Sequence, residues 1–195
     1  MRGLHTRVRG VDGAGRTYAA SDPVLLRWVH LAFTDAFLSA HQHLGEDMRP
    51  RFGSRWADSY VSQWQRPAGA LGATDLPATA AELAEALAAM RPELEPVPPD
   101  LRTYLAAPPG LSGPERVFYG NLVRAAGLLL STAVAPLAGT PGRGSWSPGQ
   151  RAQLLVTRTQ LRSLRLVLGA HGPSEQAALH RLGTGPTPSW LVPAA

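Results

Sequence analysis

Ser21-Asp22-Pro23-Val24-Leu25-Leu26-Arg27-Trp28-Val29-His30-Leu31-Ala32-Phe33-Thr34 is the stretch on which the fold turns. Asp22 followed by Pro23 is a strong helix start. The carboxylate can accept from free first-turn N–H groups, and proline is preset for the first helical position. Leu25, Trp28, Val29, Ala32, Phe33 and Ala36 then recur at helical spacing. A helix running to about Leu44 should therefore turn that apolar face to a core. Just upstream, residues 8–18 carry Asp12-Gly13, a dipeptide suited to a tight reversal, and read as a small hairpin.

Downstream, helical patterns alternate with proline and glycine breaks. A second helix is expected over 54–66, stopped by Pro67. A third, over 79–90, opens with a Thr79/Glu82 capping box. Pro92, Pro96, Pro98 and Pro99 mark a rigid connector before a short helix at 100–106. Residues 112–137 read as one long apolar helix entered at Pro114 and ended by Pro136. Residues 148–168 form the last long helix, with the stripe Leu154, Leu161, Leu164 and Leu168, and 175–182 a final short one. The expected class is all-α: a single multi-helix orthogonal bundle over 1–182 with at most one β-hairpin. The Pro/Gly-rich tail 183–195 is expected to be flexible.

Composition narrows the chemistry. At 195 residues with 44% hydrophobic and 17% charged residues, one domain with a real core is expected rather than disorder. Cysteine is absent, which excludes disulfides, thiolate metal sites, Fe–S clusters and covalent haem attachment together. The net charge of +5 comes from arginine alone, without a single lysine. Those arginines are scattered and form no basic run, so no nucleic-acid partner is expected. The apolar run 125–137 is too short to span a bilayer, and residues 1–16 hold no secretory h-region, so a cytoplasmic location is expected.

Few residues can carry chemistry. His30 and Thr34 lie one turn apart on the same helix face. They can line a cofactor edge or a dioxygen pocket. Equally, His30 can bond a backbone carbonyl; for Thr34 the bond back into its own helix is the commoner arrangement of a helical threonine. His41 and His43 are two positions apart and point away from each other, so they cannot chelate together. Trp56, Tyr60 and Trp64 fall at i, i+4, i+8, a spacing that reads as core. Gly13-Ala14-Gly15 lacks the strand and helix of a nucleotide loop, and there is no G-x-S-x-G.

Leu4-His5-Thr6-Arg7-Val8-Arg9-Gly10, Gly15-Arg16-Thr17-Tyr18-Ala19-Ala20-Ser21-Asp22-Pro23 and Trp28-Val29-His30 follow in a fixed order. Together they resemble the rubber oxygenase (latex-clearing protein)/ER-bound oxygenase mpaB family. The likeness runs from about Leu4 to Met90 and includes Tyr60, Leu71-Gly72 and Leu76-Pro77-Ala78-Thr79. It implies a helical domain holding haem b non-covalently, with O2 and an apolar, isoprenoid-type small molecule as substrates. By motif position it implies His5 as the iron ligand; His30 and Thr34 are candidates for the cofactor's edge, and Tyr18, at the family's tyrosine, can bond a haem propionate or pack the turn against the core. Arg7, Arg9 and Arg16 are candidates to pair with haem propionates. Gln63 stands where the family carries an acidic residue, so a general-base role there is lost. The family domain begins well before its ligand histidine, and its distal-side helices are expected to be missing here. The alternative is a catalytically inactive helical fragment that binds an apolar small molecule or a partner chain, with self-association through uncovered helices.

Overall fold

The computed structural model describes residues 7–13, 15–169 and 173–183. Strands β1 (Arg9–Val11) and β2 (Thr17–Ala19) pair antiparallel, with Gly10 opposite Tyr18. The ring of Tyr18 lies over Gly10 so closely that a Cβ there would meet it at 2.7 Å, which is why glycine occupies the position. The hairpin feeds the longest helix, α1 (Pro23–Leu44), where Asp22 Oδ1 accepts from Val24 N at 2.8 Å. Then come α2 (Arg49–Phe52), α3 (Trp56–Leu71), α4 (Ala80–Met90) with a 3-10 turn (Arg91–Glu93), and α5 (Pro99–Ala106). The series closes with α6 (Gly113–Leu129), α7 (Ala135–Ala138), α8 (Pro148–Leu168) and α9 (Pro173–Arg181). The chain is all-α apart from the hairpin.

Helix α1 is the axis of the bundle, contacting α3 and α4 on one side and α6 and α8 on the other. Leu31 and Leu38 join Val61 of α3 and Leu83, Leu87 and Met90 of α4 in a first core, flanked by Trp28, Trp56 and Tyr60. Ala125, Leu128 and Leu129 of α6 form a second core with Leu154 of α8, against Leu44 and Trp146. Polar ties cross between the halves. Ser39 Oγ donates to the Leu129 carbonyl at 3.0 Å, and Arg143 reaches Asp35 at 2.6 Å.

Three expectations are corrected. Pro67 does not stop α3, which continues to Leu71 and ends on the left-handed Gly72. An interior proline removes one N–H bond, and here the helix still buries Ala68 beyond it. The long apolar helix breaks at Leu130, whose ψ of 143° is extended, and Pro136 opens the short α7 instead of closing α6. The returning loop takes over the freed carbonyls: Gly142 N donates to Gly127 O and Arg143 N to Leu130 O, at 3.1 and 2.8 Å. Finally, the buried stripe of α1 is His30, Leu31, Thr34, Asp35, Leu38 and Ser39, while Leu25, Val29, Phe33 and Ala36 are exposed. Four helices pack on α1 from two sides, and the described residues leave the stripe between them open.

Candidate functional site

The open stripe forms a wall of an apolar cleft of about 460 Å³ between α1 and α3. From α1 come Leu25, Leu26, Val29, His30 and Phe33; from α3, Trp64, Pro67, Ala68 and Leu71; from the hairpin, Tyr18. The surface is almost entirely carbon, with the imidazole and the phenol as its polar handles. Phe33 stacks on Phe37 at 6.0 Å, and Phe37 on Trp64 at 5.7 Å, so an aromatic ladder runs up its side. Phe33 is 55% exposed and Phe37 46%, although both belong to the type normally found inside. Exposed apolar surface of this extent, with few polar groups, is the usual make-up of a small-molecule site.

His30 sits at the inner edge of this cleft, only 6% exposed, with its ring 6.5 Å from that of Trp64. Its Nε2 is buried without a hydrogen-bond partner among the described residues. Burial pushes the imidazole below its ordinary value of 6.5, so the ring is neutral at neutral pH. One turn on, the fully buried Thr34 also leaves its Oγ1 without a partner among the described residues, so the back-bond into its own helix is not formed. Among the described residues these are two buried polar atoms without a partner, one at the cleft edge and one a turn behind it, and such groups call for a reason.

The other expected residues divide. Tyr18 lines the cleft and stays partly exposed. His5, assigned as iron ligand by resemblance, lies outside the described residues. Arg16 is engaged by Asp12 at 2.7 Å and approaches Glu95 at 3.7 Å, which ties down the hairpin. His41 and His43 diverge as the spacing requires: His41 lies against Tyr60 and His43 edge-on to Trp146. The Trp56–Tyr60–Trp64 face is split, because Trp56 and Tyr60 flank the first core while Trp64 turns into the cleft. Among the described residues no cluster of three His, Cys, Asp or Glu side chains could hold a metal ion. None of the described helices is long and apolar enough to cross a membrane.

Sequence reasoning missed Phe37 and the Asp35–Arg143 pair. Phe37 extends the Val29–Phe33 stripe by another turn, and that continuation was a usable signal. Asp35 is a lone carboxylate between buried neighbours, which hints at a paired charge. Its partner is 108 residues away, so no local pattern could name it.

An all-α bundle with an apolar cleft edged by a neutral histidine defines a domain suited to binding an apolar cofactor or substrate. The model of the family described as ER-bound oxygenase mpaB/B'/Rubber oxygenase, catalytic domain, matches residues 1–169, and the chain belongs to that family. No curated protein and no solved structure matches it.

Proposed function

We propose that the chain is a haem b-dependent oxygenase domain acting with O2 on an apolar, isoprenoid-type substrate, with the α1–α3 cleft as its site. The observation that carries this reading is the unpartnered, buried Nε2 of His30 at the edge of a carbon-lined cleft, in a chain of an oxygenase family. The residues present fit the group: the cleft is apolar and broad, the aromatic ladder offers flat faces, and the histidine is uncharged. His5 would supply the axial nitrogen, on the resemblance of its motif. When bound, haem would provide the iron at which O2 is activated for oxidation of a carbon–carbon double bond.

The chain's own side chains have two tasks. Leu25, Val29, Phe33 and Leu71 hold an apolar chain and keep water out, which protects reactive oxygen chemistry from side reactions. His30 Nε2, neutral and unpaired, gives a hydrogen bond to, or takes one from, an oxygen atom entering beside it. Titration with hemin tests the proposal. A sharp Soret band that collapses in His5→Ala and shifts in His30→Ala is expected. A spectrum unchanged in both variants removes the assignment.

The exposed ladder from Val29 through Phe33 to Phe37 favours a second reading, a non-catalytic domain that docks an apolar ligand or a second chain on this face. Size-exclusion chromatography with and without hemin separates the two. Oligomers that hemin does not dissociate, with no Soret band, support the docking domain.

A further inference from the structure

We propose that a second groove, between the C-terminal end of α1 and α8, binds an amphipathic anion: an alkyl chain ending in a carboxylate or phosphate. This groove encloses about 340 Å³ and is separate from the α1–α3 cleft. Phe37, Leu44 and Leu161 give it an apolar lining, and Arg162 and Arg165 stand in it beside them. The two arginines are three positions apart on α8 and so project from neighbouring places on one face.

Their charges are uncommitted. Among the described residues neither arginine forms an ion pair, unlike Arg16, Arg49 and Arg143, each of which meets a carboxylate. Glu46 shares the groove but makes no ion pair with them, so the three charged side chains leave a net charge of about +1 there. The rim itself is held in place. Arg158, one turn earlier on α8, donates from Nη2 to the Gly45 carbonyl at 3.0 Å, fastening the end of α1 to α8. A pair of guanidinium groups on one helix face suits bidentate contact with a carboxylate or phosphate, and the carbon lining suits an alkyl chain. A small anion would leave the apolar side unused, and a neutral hydrocarbon would leave the arginines unused. An alkyl anion uses both.

The proposal does not depend on haem. Phe37 is the point of contact between the two sites, since it lines this groove and stacks on Trp64 of the other. The test is calorimetric titration of the full chain, at low ionic strength, with laurate, dodecyl phosphate and dodecanol as probes. At least one anion is expected to bind about tenfold more tightly than the alcohol, an advantage that salt reduces. The double variant R162Q/R165Q is expected to erase that advantage while the alcohol's affinity stays the same. Glu46→Gln is expected to raise anion affinity, and Val29→Gln, which adds no charge to the other cleft, to leave it unchanged. Whichever anion binds identifies the head group. Equal affinity for all three probes overturns the proposal. So does an advantage that survives in R162Q/R165Q or disappears in Val29→Gln. Should the double variant fail to melt cooperatively, an unchanged anion affinity in Glu46→Gln overturns it instead.

Discussion

Replacing Arg143 by alanine removes the one cation bonded to a carboxylate in the middle of α1. Arg143 Nη2 meets Asp35 Oδ1 at 2.6 Å, with the side chains 25% and 12% exposed. Removing one partner of a buried pair costs about 3–5 kcal/mol, because the other charge is left without compensation. The partial exposure of Arg143 lets water soften the loss, so about 2–3 kcal/mol is expected here. In a chain of this size that lowers Tm by roughly 5–10 °C. Asp35→Asn should cost only about 1 kcal/mol, since the amide oxygen still accepts and the arginine can turn to solvent.

The pH dependence distinguishes this account from lost packing. Burial raises the Asp35 carboxyl above its ordinary 3.8, while the hydrogen bond and charge of Arg143 pull it back. The folded state therefore holds this proton more tightly than the unfolded chain does. Stability linked to Asp35 is greatest below about pH 4 and declines as pH rises through the folded value. Without Arg143 the folded value climbs further, so the deficit of Arg143→Ala should shrink as pH falls from 7 toward 4. Urea melts of wild type, both single variants and the double variant, at pH 7 and 4.5, measure it. A deficit under 0.5 kcal/mol at pH 7, on the scale of an exposed pair, would refute the reasoning. A deficit that does not change with pH would refute it as well.

Burial lowers the folded pKa of His30, so its contribution to stability is present above the unfolded value of 6.5 and lost as pH falls through the folded one. His30→Phe should therefore flatten the loss of stability below pH 6.5, and a denaturation series between pH 7 and 5 reads it. Gly142→Ala should destabilise by more than about 1 kcal/mol, because φ is +71° there and the new Cβ would sit 2.5 Å from Ala135 Cβ. Thermal melts check this, and an unchanged Tm would show that the loop re-folds freely around the substitution.

Local signals were reliable wherever one or two residues decide a backbone event. Asp22-Pro23 opened α1, Asp12-Gly13 turned the hairpin, and Thr79 capped α4 with its Oγ1 accepting from Glu82 N. Local signals failed where two neighbours compete for the same backbone. Pro67 was outweighed by the packing of α3, and the apolar run after Leu129 was broken by a loop that claims the carbonyls of Gly127 and Leu130.

Residue order alone settled the helical class, most helix starts and the family, because caps, turns and motifs act over a few positions. Which face of α1 is covered was decided only in three dimensions. Leu25, Val29 and Phe33 have the periodicity of a core stripe, yet a stripe becomes core only where another element lies against it. The helices around α1 approach from its two other sides, toward Leu31, Asp35 and Leu38. The same geometry closed His30 and Thr34 in without partners among the described residues, met Asp35 with an arginine from a distant loop, and left Phe33 in the wall of a cleft.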